Sequence, residues 1–173
     1  MSKGNLMKKV SLLVSMLVLL VSATVSAQIK AEDINMGGLN LNSTYEQVIA
    51  CYGKPDVVRQ VELQLVETEI LYGDSVAITF SNGVVRKIVV SANNGWRTSD
   101  GVHVGMSLNE AMKIYGVNYE EIPDLPGLGY QYVCVPESFV YEPGDTKWII
   151  RLVDPDTCGK IHSITIFKAT PEY

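Results

Sequence analysis

The spacing of apolar residues changes character along this chain, and the change happens twice. Between Thr44 and Gly53 apolar residues fall at helical spacing, with Val48, Ile49, Cys51 and Tyr52 on one stripe. From residue 57 the period drops to two, and β-branched residues bounded by turn signals predict strands near 57–62, 65–72, 75–81 and 84–91. Gly73-Asp74 and Asn82-Gly83 supply turns, the second a strong hairpin signal. The cycle then restarts: Ala111, Met112, Ile114 and Tyr115 stripe a second helix, and strands follow near 128–135, 138–142, 147–153 and 160–168. Pro143-Gly144-Asp145 and Asp154-Pro155-Asp156 read as the turns of this second half.

The restart is visible in the letters themselves. GLNLNSTYEQVIACYG at 38–53 returns as GVHVGMSLNEAMKIYG at 101–116, so each copy is one supersecondary unit with the same apolar face to bury. Thr44 with Gln47, and Ser107 with Glu110, have the spacing of a capping box, and Gly53 and Gly116 stand where helices end. Alternation then assigns faces. Val76, Ile78, Phe80, Ile88 and Val90 match Trp148, Ile150, Leu152, Ile164 and Ile166 and should meet the helices. The opposite face carries Ala77, Thr79, Lys87 and Val89 in one copy and Ile149, Arg151, Ser163 and Thr165 in the other. The expected fold class is α+β, with two tandem helix-plus-antiparallel-sheet repeats forming one continuous sheet that has its helices on one face. The expected division is a signal peptide at 1–27, a first repeat at 28–95 and a second at 96–173.

Lys3, Lys8 and Lys9 precede an uncharged apolar run from Val10 to Val21, followed by the small triplet Val25-Ser26-Ala27, the layout of a cleaved secretory signal. The run is short for a bilayer and lacks a charged stop, so no stable membrane insertion is expected after cleavage, and the mature protein is expected in the periplasm or outside the cell. Removing residues 1–27 takes three lysines and no acid, so the net charge of −5 becomes −8. That excess, with no cluster of Lys and Arg, argues against nucleic acid as a partner.

An exported protein can hold disulfides. Cys51 sits in the helix stripe, where the second copy has Ile114, and is expected to be a buried free thiol. Cys134 and Cys158 are the candidate disulfide, which would stabilise by about 3 kcal/mol if unstrained.

Candidate chemistry is sparse. His103 and His162 are separated by the repeat and read as ordinary polar residues; Cys134 with His162 lacks a third orienting group. Asp145, Asp154 and Asp156 do not have calcium-loop spacing and read as turn residues, and Glu120, Glu121 and Asp124 as a solvated loop. Neither catalytic residues, a metal nor a cofactor is expected. The segment from Pro123 to Tyr132 inserts residues relative to the first copy and carries Leu125, Leu128, Tyr130 and Tyr132 beside Gly and Pro, as an apolar tip for a partner would. Lys87 and Arg151, set among Thr79, Ser163 and Thr165, mark the centre of the mixed sheet face as a second binding candidate for a carboxylate-bearing protein. A different class of function, a small-ligand or glycan-binding protein, would use Trp96, Tyr130, Tyr132 and Tyr141 as stacking surfaces.

The helix segment GVHVGMSLNEAMKIYG and the hairpin ITFSNGVVRKI resemble the superfamily that contains β-lactamase inhibitory protein and the SmpA/OmlA envelope proteins. The resemblance implies a helix layer on an antiparallel sheet, repeated in tandem, with the open sheet face as a protein-binding surface. It also makes an envelope-assembly or inhibitor role a further alternative. The chain departs from it in having no lipobox cysteine and only Cys51 in its first half, so that half has no disulfide of its own.

Overall fold

The computed structural model describes residues 34–62, 66–116, 119–121, 128–134 and 147–169. Two short strands, β1 (Asn35–Met36) and β2 (Leu39–Asn40), lead into helix α1 (Tyr45–Tyr52). Strands β3 (Val57–Glu62), β4 (Val66–Tyr72), β5 (Val76–Ser81) and β6 (Val84–Val90) follow. Helix α2 (Leu108–Tyr115) opens the second half, which continues with β7 (Glu120–Glu121), β8 (Leu128–Cys134), β9 (Lys147–Asp154) and β10 (Ser163–Ala169). The class is α+β. Strands β3 to β10 lie in an eight-stranded sheet in the order β3-β4-β5-β6-β10-β9-β8-β7. All of its pairings are antiparallel. The two halves meet in the sheet at β6 and β10, where Val90 faces Ile164 and Ile88 faces Ile166. The strand expected near 138–142 lies outside the described residues, as does the apolar run at 10–21. Among the described residues no helix is long and apolar enough to cross a membrane.

Alternation decides what is buried. Ile70, Ile78, Ile88, Ile150, Leu152, Ile164 and Ile166 point to one side and are fully buried with Val48 of α1 and Ala111 and Tyr115 of α2. A single core therefore spans both halves, fed also by Ile34, Met36, Leu39 and Leu41 before α1 and by Val102 and Val104 before α2. Fully burying such a branched side chain is worth about 1.5–3 kcal/mol.

Two matched backbone hydrogen bonds tie each helix start to a hairpin loop. In the first half the Tyr45 amide donates to the Gly83 carbonyl (3.3 Å) and the Val85 amide to the Ser43 carbonyl (2.9 Å), beside a bridge between Thr44 and Val84. In the second, the Leu108 amide donates to the Gly159 carbonyl (2.9 Å) and the Ile161 amide to the Met106 carbonyl (2.9 Å), beside a bridge between Ser107 and Lys160. Asn82 and Gly83 have φ of 52° and 79°, as the two-residue turn between β5 and β6 requires.

Several sequence expectations need correction. Thr44 and Gln47 form a full capping box, but the Ser107 side chain makes no cap bond. The Gly159 carbonyl already holds the first turn of α2, so the box has less left to do. Cys51 is exposed, because only Val48 of α1 is fully buried while Ile49 and Tyr52 cover the rest of the stripe. Cys158 is a free, exposed thiol. Register excludes its union with Cys134. Cys134 faces Trp148, at the opposite end of β9 from Asp154, which leads directly into the Cys158 loop. That length of strand is roughly 20 Å, whereas a disulfide needs Cα atoms within about 7 Å.

Candidate functional site

The sheet face away from the helices is crossed by a register row running Arg59, Glu69, Thr79, Lys87, Phe167 and Ile149. Its first members are paired off: Arg59 Nε donates to Glu69 (2.6 Å), and Arg86, the residue inserted at the bulge after Thr79, pairs with Glu67. Both carboxylates are buried beneath these arginines. Lys87 faces Thr79 on one side and Phe167 on the other and has no carboxylate partner among the described residues.

The other residues expected on this face are dispersed. Arg151 faces Thr165 in a neighbouring row, and its guanidinium lies 5.1 Å above the Phe167 ring. Arg151 and Lys87 thus stand two strands apart with β10 between them and form no pair of adjacent cations. Thr165 and Ser163 are partly exposed. Thr79 is not available for contact: it is 2% exposed, and its hydroxyl has no hydrogen-bond partner among the described residues. Ile149, on the same face, is 4% exposed, so this surface is less open than its composition suggests.

The aromatic candidates are occupied internally. Trp96 stacks on Tyr52, ring centres 4.5 Å apart, and closes over Gly37. Tyr130 meets Tyr119 edge-on at 4.6 Å and packs against the core. Leu125 and Tyr141 lie outside the described residues, as do the side chains of Leu128, Tyr132 and Cys134.

A second constellation sits in the loop between β9 and β10. Oxygen, sulfur and nitrogen atoms of Asp154, Cys158 and His162 all lie within 4.8 Å of one another. Asp154 is fully buried, and its carboxylate accepts the Cys158 amide (3.2 Å) on one oxygen and the Gly159 amide (2.6 Å) on the other. Burial pushes its pKa up, but those two amides, the Cys158 thiol and nearby His162 outweigh it and hold the carboxyl below its ordinary value. His162 Nδ1 lies 3.4 Å from Asp154 and 3.1 Å from the Lys160 carbonyl, and Nε2 lies 3.3 Å from Asp156. Sequence reading treated Asp154 and Asp156 as turn residues, His162 as an ordinary polar residue and Cys158 as half of a bridge. The available signal was their even spacing, Asp154, Cys158, His162, across a hairpin loop whose two strands bring both ends together.

No protein-family model matches the chain, and no curated protein matches it. Among solved structures it is similar to an extracellular protein containing a SCP domain from Bacillus anthracis str. Ames, with a TM-score of 0.48 and 8% identity over 88% of this chain and 54% of that one. The chain thus spans about half the length of that protein.

Proposed function

We propose that this is an exported, non-enzymatic protein-binding module of two tandem units, of the kind that the β-lactamase inhibitory protein superfamily represents. The tandem reading is supported by matched bonds: Tyr45 to Gly83 and Leu108 to Gly159, then Val85 to Ser43 and Ile161 to Met106. The two recurring tyrosines agree with it, since Tyr52 donates its hydroxyl to the Gly37 carbonyl and Tyr115 to Thr98 Oγ1, each just upstream of its own helix. Export is supported by the leader pattern at 1–27.

The observation that carries the binding proposal is Lys87. On a face where Arg59 and Arg86 each hold a carboxylate, Lys87 has none among the described residues; it faces Phe167, with the partly exposed Thr165 two residues along the same strand. A partner offering a carboxylate there would complete the charge pattern. Lys87→Glu together with Arg151→Glu should weaken capture of the partner from the native envelope at least tenfold. Lys113→Glu, an exposed change on α2, should leave capture unaltered. Equal capture by all three proteins would move the interface off the sheet face and toward the loop carrying Leu125 and Leu128.

A further inference from the structure

We propose that the loop between β9 and β10 is a transition-metal site of the Zn²⁺ class, formed by Asp154, Cys158 and His162, with Asp156 orienting the imidazole. The donor set is a thiol sulfur, an imidazole nitrogen and a carboxylate oxygen. A soft thiolate beside imidazole selects late first-row ions over calcium or magnesium, which want only oxygen.

The present spacing suits such an ion. Bonds of about 2.0–2.3 Å put tetrahedral ligand atoms roughly 3.3–3.8 Å apart, so atoms already within 4.8 Å need close by only about an ångström. Nδ1 is the imidazole nitrogen near Asp154, but it also lies 3.1 Å from the Lys160 carbonyl, which can only accept. Nδ1 must therefore give up its proton and turn from the carbonyl to take the ion, while Nε2 faces the Asp156 carboxylate, the outer partner that metal-bound histidines usually have. Asp154 is held too, since its oxygens accept the Cys158 and Gly159 amides and so fix the carboxylate against the thiol.

Backbone hydrogen bonds tie the loop to its surroundings on several sides. The Gly105 amide donates to the Ile161 carbonyl (2.7 Å), the His162 amide to the Val153 carbonyl (2.8 Å), and the Leu108 amide to the Gly159 carbonyl (2.9 Å). Thr157 takes a left-handed conformation at φ 53°, unusual for a residue branched at Cβ and characteristic of sites that hold a particular geometry. Three protein ligands leave one position for water or a donor from outside. On binding, the Cys158 thiol gives its proton to solvent and the thiolate takes the metal. Cys158 and Asp156 are exposed, so the ion can enter without opening the fold.

The test is titration of the purified, reduced protein with Co²⁺, whose bond to thiolate gives a near-ultraviolet charge-transfer band, followed by displacement with Zn²⁺. One equivalent should bind with that band. Cys158→Ser should abolish the band, and Cys51→Ser and Cys134→Ser should keep it. His162→Ala should weaken binding on the order of 100-fold and Asp156→Asn about tenfold. Asp154 is left intact because its carboxylate also holds the loop. Should Cys158→Ser fail to fold, alkylation of the unaltered protein gives the answer: Zn²⁺ should slow modification of Cys158 and not of Cys51. Absence of a thiolate band, a band lost with Cys51 or Cys134 instead, or equal alkylation with and without Zn²⁺ would each overturn the proposal.

Discussion

Gly37 shows how much can rest on one residue. Its φ of +61° lies in the left-handed region, and a Cβ there would meet Trp96 and the Tyr52 hydroxyl oxygen, both at 2.6 Å. The same Tyr52 hydroxyl donates to the Gly37 carbonyl, so a side chain at 37 would push apart both the aromatic stack and its hydrogen bond. Gly37→Ala should lower stability by about 2–4 kcal/mol, read from chemical denaturation, from backbone strain and forced repacking together. A loss below about 0.5 kcal/mol would mean that the stack yields freely. Trp96 illustrates why single residues resist reading from sequence: its neighbours in the linker are polar, so it looked like a surface ring, yet it covers a glycine sixty residues earlier in the chain. Cys51 misled in the opposite sense. It lies on the helical stripe by spacing, but an eight-residue helix laid on a sheet buries only a narrow line, and that line is Val48.

At the scale of elements, helices and strands were largely legible because each carries its period and its stops. The strands read near 57–62, 65–72, 75–81 and 84–91 fall within a residue of β3 to β6, where alternation is uninterrupted and Asn82-Gly83 sets the hairpin. β1, β2 and β7 were not legible, since two residues show no period. The cap of α2 was misread because a capping box is a local pattern, while the Gly159 carbonyl that receives the Leu108 amide comes from fifty residues away. The two caps therefore make unequal contributions. Thr44→Ala should cost about 1 kcal/mol, whereas Ser107→Ala should cost only a few tenths, in parallel urea titrations. Equal losses would show that the Ser107 hydroxyl caps in solution. The candidate metal ligands were illegible for a related reason: their spacing becomes a cluster only once β9 and β10 pair and the loop between them folds back.

For the molecule as a whole, the shared core makes local titration a global quantity. Burial raises the Tyr52 and Tyr72 phenols above their ordinary value of 10.0, helped at Tyr52 by Cys51 and at Tyr72 by Tyr45, Asp56 and Tyr52. The folded state then binds the phenolic protons more tightly than the unfolded chain. Their contribution is complete below 10.0 and is lost as pH rises through the higher folded values. The urea midpoint should therefore fall on going to strongly alkaline solution, and Tyr52→Phe with Tyr72→Phe should flatten that fall. An unchanged alkaline slope in the double variant would assign the effect to other groups.

The meeting of β6 with β10 also sets the order in which the protein can be completed. β6 is finished by residue 90, but the strand that covers its outer edge is β10, the last of the described strands. As the polypeptide emerges amino end first, β3 to β6 can fold early while Val84–Val90 keeps a row of unsatisfied amides and carbonyls on offer. Until β10 arrives those groups are an open edge to which another chain could pair, and the seam between the two halves is the last to close.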